Sequence, residues 1–185
     1  DGTSGTELWK TDGTEAGTVR VKDIRSGTSS SNAWNFKVIG NTLFFTADDG
    51  TSGTELWKTD GTEAGTVRVK DIRSGTSSSN PGNFTIIGNT LFFTADDGTN
   101  GNGLWQSDGT DAGTVRVADL FSGSLSSNPS NFISFRDQLL FLANDGRTGQ
   151  ELWGLTLGNG NGGTTMGAGQ APKVIGVTSS NDNGT

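Results

Sequence analysis

Short apolar runs separated by polar, glycine-containing segments recur along the whole chain. Two runs of β-prone residues, 36–39 and 42–47, are separated only by Gly40 and Asn41, and such a pair between two strands is typical of a tight hairpin. Further runs at 55–58 and 66–72 predict two more strands, each reached through a polar turn. No segment has the period of an amphipathic helix. The pattern therefore predicts a unit of four short antiparallel strands.

This unit is repeated with a fixed period. The dipeptide Leu-Trp begins at residues 8, 56, 104 and 152, each 48 residues after the last, so that repeats begin at 7, 55, 103 and 151. The copies 7–54 and 55–102 differ at only six positions, the third copy is more divergent, and the fourth stops after residue 157. Such self-similarity is the mark of a repeat architecture.

A four-stranded meander of this length predicts blades of a β-propeller, since propeller blades are about 40–50 residues long. The apolar residues at 43–45 are consecutive, as expected for a sheet that is covered on both faces. The alternative fold is a β-solenoid, whose coils usually have shorter periods and no hairpin of this kind.

The repeats assign residues 1–157 to the blades, residues 158–170 to a flexible Gly/Asn/Thr linker, and residues 171–185 to the start of an Ig-like module or a disordered tail. Propellers typically have about 4–8 blades, so a second copy of the chain or upstream repeats are expected to complete the ring. The fourth unit has no obvious fourth strand after residue 157, and an N-terminal strand is a candidate to supply it.

Composition and charge narrow the classes of function. The net charge is −7 and the pI is about 4.4, which disfavours binding to nucleic acid. There is no Cys and no His, so the commonest general base and the commonest transition-metal ligands are missing, and we expect no enzyme activity. No apolar run is long enough for a membrane-spanning helix.

Acidic residues recur at two places in each repeat. One set is followed by Gly-Thr and is predicted to cap turn amides in a structural role: Asp12, Asp60 and Asp108. The other set forms adjacent pairs on glycine loops: Asp48, Asp49, Asp96 and Asp97. Oxygen ligands of this kind suit Ca²⁺, but their spacing matches no known calcium loop. We predict no required cofactor and no large effect of Ca²⁺ on folding.

Tryptophan also divides into two classes. The Trp of each Leu-Trp pair has the same place in every unit, which indicates packing between blades. Trp34 occurs once, where the next copies have Gly82 and Ser130. It is either an exposed aromatic at a binding or subunit contact or a residue that packs under its own loop. A lectin-like site on each blade would use the loops near Trp34, Asp49, Glu55 and Asp97.

The sequence Glu-Leu-Trp-Lys-Thr-Asp-Gly-Thr-Glu-Ala-Gly-Thr-Val at 7–19 and 55–67 resembles the ELWxxDGT, or hyalin-like, repeat family. The segments 43–51 and 91–99 resemble its second hallmark, and the likeness covers residues 1–153. It implies a repeat module of large bacterial secreted or surface proteins without an assigned catalytic activity. The third copy departs from the motif at Gly103, Gln106 and Ser107, and the fourth loses Asp-Gly-Thr.

Together these features predict a non-catalytic, extracellular structural or adhesion module on a bacterial cell surface, with the propeller as a rigid scaffold or assembly unit. The alternative is a glycan-binding lectin, with Ca²⁺ as an optional cofactor. The expected partners are other repeats, a second copy of the chain, cell-surface glycans or other surface proteins.

Overall fold

The computed structural model describes residues 3–136 and 138–156 and the backbone of 173–177. These residues form an all-β protein without a helix, which confirms the fold class predicted from the pattern of short apolar runs. Four antiparallel sheets follow one another along the chain. Sheet I contains β1 (Leu8–Lys10) and β2 (Val19–Lys22). Sheet II contains β3 (Trp34–Ile39), β4 (Thr42–Asp48), β5 (Thr54–Thr59) and β6 (Val67–Lys70).

Two further sheets repeat the arrangement of sheet II. Sheet III contains β7 (Gly82–Ile87), β8 (Thr90–Asp96), β9 (Asn102–Ser107) and β10 (Val115–Ala118). Sheet IV contains β11 (Ser130–Phe135), β12 (Gln138–Asn144), β13 (Gln150–Thr156) and β14 (Lys173–Val177). In sheets II to IV the strands pair in chain order as an up-and-down meander, so the four-stranded unit predicted from the sequence is present.

The core consists of three apolar layers, each between two consecutive sheets. Between sheets II and III, for example, Phe44 and Leu56 pack against Phe93 and Trp105. The same strand supplies the layer on its other side, because side chains alternate along a strand: Phe45 contacts the residues of sheet I. This two-sided burial explains why the apolar residues at 43–45 are consecutive in the sequence.

The first strands of the three larger sheets lie next to one another, because β7 contacts both β3 and β11. Each first strand has a bulge after its first residue: in β3, Trp34 pairs with Thr46 and the next pair along the strand is Lys37 with Phe44. Bulges bend a strand and redirect its side chains. The three bulges lie at equivalent positions, directly before Lys37, Thr85 and Ile133.

The fourth strand of sheet IV is β14, whose residues pair with β13 from Leu152↔Val177 to Thr156↔Lys173. The sequence suggested an N-terminal strand for this position and assigned 173–177 to a following module. The run Lys-Val-Ile-Gly-Val is rich in β-branched residues, which suits an added strand. The predicted linker, 158–170, lies outside the described residues, as do most of residues 171–185.

The two end faces of the described sheets carry exposed apolar residues. Trp9 on sheet I is 43% exposed, although the equivalent Trp57 is 6% exposed. On sheet IV, Leu152 is 41% exposed, although the equivalent Leu56 and Leu104 are fully buried. Each of these side chains lies on a face that has no neighbouring sheet among the described residues. No described helix has the length and hydropathy needed to cross a membrane.

Candidate functional site

The Asp-Gly-Thr turns are closed by side-chain hydrogen bonds. The Asp12 carboxylate accepts hydrogen bonds from Thr14 N and Thr14 Oγ1, at 3.0 and 2.7 Å, and these bonds lower its pKa. Asp60 and Asp108 make the same two contacts with their own threonines. Gly17 is required for space, since a Cβ there would collide with the Asp12 carboxylate. These aspartates thus build the turn.

The turns of sheets II and III also receive lysines from the preceding sheet. Lysine Nζ atoms donate to turn carbonyl oxygens. One of these, Asp111 O, also accepts from Thr114 N of its own turn, since a carbonyl oxygen has two lone pairs. The contacts are Lys10 to Gly61 and Lys22 to Thr66 between sheets I and II, and Lys58 to Gly109 and Lys70 to Asp111 between sheets II and III, at 2.8, 2.9, 2.8 and 3.1 Å. Sheet III has Gln106 and Ala118 at these positions. The lysines are therefore absent where the fourth copy lacks Asp-Gly-Thr.

Glu55 holds the long loop that leads to the next sheet. It is fully buried and accepts hydrogen bonds from Ile72 N, Ser79 N and Ser79 Oγ at 3.0, 3.0 and 2.6 Å. Burial raises its pKa, against the hydrogen bonds from Ser79 and Ile72, which lower it. Buried Glu7 bonds the equivalent residues Ile24 and Ser31. A surface ligand cannot reach Glu55, so Glu55 is left out of the lectin site considered above.

The third copy replaces this glutamate with a glycine. The space beside Gly103 contains the Arg116 guanidinium, whose Nε lies 2.7 Å from where a Cβ would be. Arg116 also donates to Asn100 O and to Asp119. In the third copy the Arg116 side chain of strand β10 thus lies in the space beside Gly103, but a guanidinium only donates and so cannot accept the loop amides that Glu55 accepts.

The paired acids are bonded within their own loops and to arginines. Asp49 accepts hydrogen bonds from Thr51 N and Ser52 N, both at 2.8 Å. Asp48 forms an ion pair with Arg25, and Asp96 forms one with Arg73 at 3.0 Å. These ion pairs connect a loop of one sheet to the loop before it.

The loop hydrogen bonds also lower the pKa values of Asp49 and Asp97. Burial acts to raise the pKa of Asp97, but hydrogen bonds from Asn100 and Thr99 outweigh it and hold that pKa well below its usual range. The same balance lowers the pKa of Asp49. Within the described ranges, no three acids come together as a metal-ligand group. The effect of Ca²⁺ stays a prediction for measurement.

The recurrent tryptophans pack between sheets, apart from the first. Trp57 and Trp105 are 6% and 7% exposed, and Trp105 Nε1 donates to Ala95 O at 3.1 Å. Trp153 makes the equivalent bond to Ala143 O at 3.0 Å. These residues are built into the core rather than presented to a ligand.

A cleft lies where the first strands of sheets II, III and IV converge, and we call it the axial cleft. Its volume is about 430 Å³ and its lining residues are Asn35, Phe36, Lys37, Asn83, Phe84, Thr85, Asn131 and Phe132. The three asparagines have positive φ angles of 59°, 54° and 54°, a region that asparagine tolerates better than most residues. Sequence reasoning missed this cleft, although the recurrence of Asn-Phe in all three copies was visible.

Asparagines in the axial cleft also join consecutive sheets. Asn35 Nδ2 donates to Pro81 O at 3.0 Å, and Asn83 Nδ2 donates to Pro129 O at 3.3 Å. Trp34, the residue before Asn35, is 67% exposed, which agrees with an exposed aromatic rather than with packing under its own loop. Of the other residues in the lectin hypothesis, Asp49 and Asp97 lie in the β4–β5 and β8–β9 loops and do not line the cleft.

No family model matches the chain, and no curated protein matches it.

Proposed function

We propose that this chain is a non-catalytic structural module of an extracellular bacterial protein, in which propeller-type blades form a rigid scaffold or assembly unit. The observation that carries the proposal is the set of lysine contacts: side chains of one sheet bind the turn carbonyls of the next, in two consecutive interfaces. Because these lysine side chains connect one sheet to the next, they favour a rigid stack of sheets. The resemblance to ELWxxDGT repeats supports the cell-surface setting and an adhesion role.

The radial arrangement of the sheets favours a propeller over a solenoid. The first strand of sheet III, β7, contacts the first strands of sheets II and IV, whereas the fourth strands each pair only with the third strand of their own sheet. In a propeller the first strand of each blade lines the centre. A solenoid would stack every strand on its equivalent in the next coil.

Completion of the ring by further repeats, or by a second copy of the chain, is part of the proposal. The exposed end-face residues Trp9 and Leu152 are apolar surface of the kind that interfaces cover. Because the repeats are nearly identical, a unit of a second chain offers the same contacts as a unit of the same chain, and either can therefore cover an end face.

Light scattering and electron microscopy of particles test this proposal. We expect the purified chain to associate into closed rings rather than to persist as a compact monomer. Replacing the end-face residue Leu152 with glutamate should reduce the association. Leu125→Ser is the matched control. It changes an exposed loop residue to the serine that the other two copies have at this position, Ser29 and Ser77, and it should leave the association unchanged. A stable monomer with cooperative unfolding would contradict the propeller and favour a solenoid.

A further inference from the structure

The differences between the two nearly identical copies are concentrated on one strand. Of the six positions at which 7–54 and 55–102 differ, four are residues 33, 34, 37 and 38, and the others are 52 and 54. The first four belong to β3 or directly precede it. Strand β3 is therefore the part of the unit whose surface chemistry distinguishes one copy from the next.

The variable positions flank an invariant pair. Asn-Phe is present in all three first strands, at a bulge and with the asparagine at positive φ. Unusual backbone conformations and bulges that recur in this way often mark functional surfaces. Before the pair stand Trp34, Gly82 or Ser130, and after it stand Lys37, Thr85 or Ile133. A constant backbone thus presents different side chains beside the axial cleft.

Lys37 differs from the other lysines because it has no protein partner. Of the five lysines whose side chains the structure describes, Lys10, Lys22, Lys58 and Lys70 each donate to a turn carbonyl. Lys37 is exposed and makes no hydrogen bond or ion pair with the described residues. It is also the one charged residue among those that line the cleft. The cleft therefore has a free positive charge in a protein whose net charge is −7.

Trp34 adds an aromatic surface on the same strand, directly before the lining residues Asn35, Phe36 and Lys37. Its side chain is 67% exposed, the largest value among the exposed large apolar residues of the described chain. An exposed indole stacks on the apolar C–H face of a sugar ring, and asparagine carboxamides both donate to and accept from hydroxyl groups. A lysine pairs with a carboxylate. Among common ligands, a sugar that bears a carboxylate offers all three complementary groups.

We propose that the axial cleft binds a saccharide that carries a carboxylate, with Trp34 against a sugar ring, Lys37 on the carboxylate and the cleft asparagines on hydroxyl groups. Trp34 and Lys37 are separate from the scaffold role, because Lys37 makes no hydrogen bond or ion pair with the described residues and Trp34 belongs to none of the three apolar layers. Asn35 and Asn83 use Nδ2 to join the sheets, and their Oδ1 atoms are left to accept from hydroxyl groups. The cleft site also differs from a loop site on each blade: one site is expected, at β3, since the other copies lack both Trp34 and Lys37.

The test uses substitutions that the chain itself contains. Trp34→Gly and Lys37→Thr introduce the residues of the next copy, which the same backbone accommodates, and Val38→Ile is a matched control taken from Ile86. The probes are tetrasaccharides of galacturonate, glucuronate and mannuronate, each compared with its uncharged methyl ester in calorimetric titrations. Circular dichroism checks the fold of each variant.

We expect the protein to bind at least one acid more tightly than its ester. Lys37→Thr should remove that preference by weakening the affinity for the acid about threefold to fivefold, as expected for loss of an exposed ion pair. The dependence of acid binding on salt should be lost with it. Trp34→Gly should weaken acid and ester alike by about tenfold. Val38→Ile should change neither. The proposal is overturned if no acid binds at millimolar concentration, or if Lys37→Thr keeps the preference.

A gain of function gives an independent test. The double variant Gly82→Trp with Thr85→Lys transfers both residues to β7. A Cβ at residue 82 meets only Thr94 Oγ1, at 3.4 Å, so that the tryptophan has room to attach. In the background of Trp34→Gly with Lys37→Thr, this transfer should restore binding of the acid. A folded double variant that stays inactive would show that the cleft at β3 is not defined by these two residues.

Discussion

The interface between sheets II and III and that between sheets III and IV share an apolar core but differ in polar contacts. In both, a buried or half-buried tryptophan donates to an alanine carbonyl, through Trp105 and Trp153. Only the II–III interface has lysines bound to a turn, through Lys58 and Lys70. The apolar layer is thus the part that joins any two sheets, and the lysines are added only where an Asp-Gly-Thr turn exists to accept them.

Loss of a buried tryptophan should have the largest effect. Trp57→Ala and Trp105→Ala each remove a core residue, and we expect a loss of about 3–5 kcal/mol in the free energy of unfolding. Trp153→Ala should cost less, because Trp153 is only half-buried. Denaturant unfolding followed by circular dichroism measures all three. A shift within error of zero for Trp57 would place the Leu-Trp pairs at the surface.

Disruption of a turn should have the next largest effect. A Cβ at Gly113 collides with the Asp108 carboxylate, so Gly113→Ala should cost about 2–3 kcal/mol, as for other overpacked sites. Gly123→Ala is the matched control: its φ is +94° and nothing lies within 4 Å, so only backbone strain of about 1 kcal/mol is expected. Equal losses would show that space around the aspartate is unimportant.

Removal of one lysine contact tests the polar difference between the two interfaces. Lys58→Met should lower the free energy of unfolding by about 1 kcal/mol, since it leaves Gly109 O without its donor. Gln106→Lys places a lysine at the equivalent position of sheet III, where the fourth copy has no Asp-Gly-Thr to accept it. It should therefore give no gain. Stabilisation by Gln106→Lys would contradict the link between lysine and turn.

The loop acids should show a property that sheets II, III and IV share, since Asp49, Asp97 and Asp145 all have a lowered pKa. The folded pKa of Asp97 lies below its ordinary value of 3.8, so its contribution to stability is present above pH 3.8 and is lost as the pH falls toward the folded pKa. Asp97→Asn should remove part of this loss, worth under about 1 kcal/mol at an exposed site. Thermal melts between pH 2 and 6 measure it. An unchanged pH profile would contradict the role of these hydrogen bonds.

Addition of Ca²⁺ should have the smallest effect. The carboxylates of Asp49 and Asp97 already accept several loop hydrogen bonds, which compete with metal binding. We expect no shift of the melting temperature between Ca²⁺ and chelator. A stabilisation of several degrees that saturates with Ca²⁺ would show instead that these loops rearrange into a metal site.

Much of the fold follows from local signals. The strands around Gly40 and the strand that contains Trp57 lie within a residue or two of their predicted ends, because hairpin pairs and β-prone runs act over a few residues. The role of Asp60 in its turn is likewise a local matter, since its partner Thr62 is two residues away. The position of β14 was not foreseen, because no local signal specifies which strand a distant segment joins.

The sequence by itself determined the repeat, the all-β class and the chemistry of each turn, since these depend on neighbours along the chain. Only the tertiary structure decided which recurrent polar residues join sheets and which remain free. Lys10 and Lys37 are both lysines on strands, but Lys10 meets a carbonyl 51 residues away, and Lys37 opens onto the axial cleft. The physical reason is that such partners come from adjacent sheets, and the distance between them in space is set by the packing of whole units.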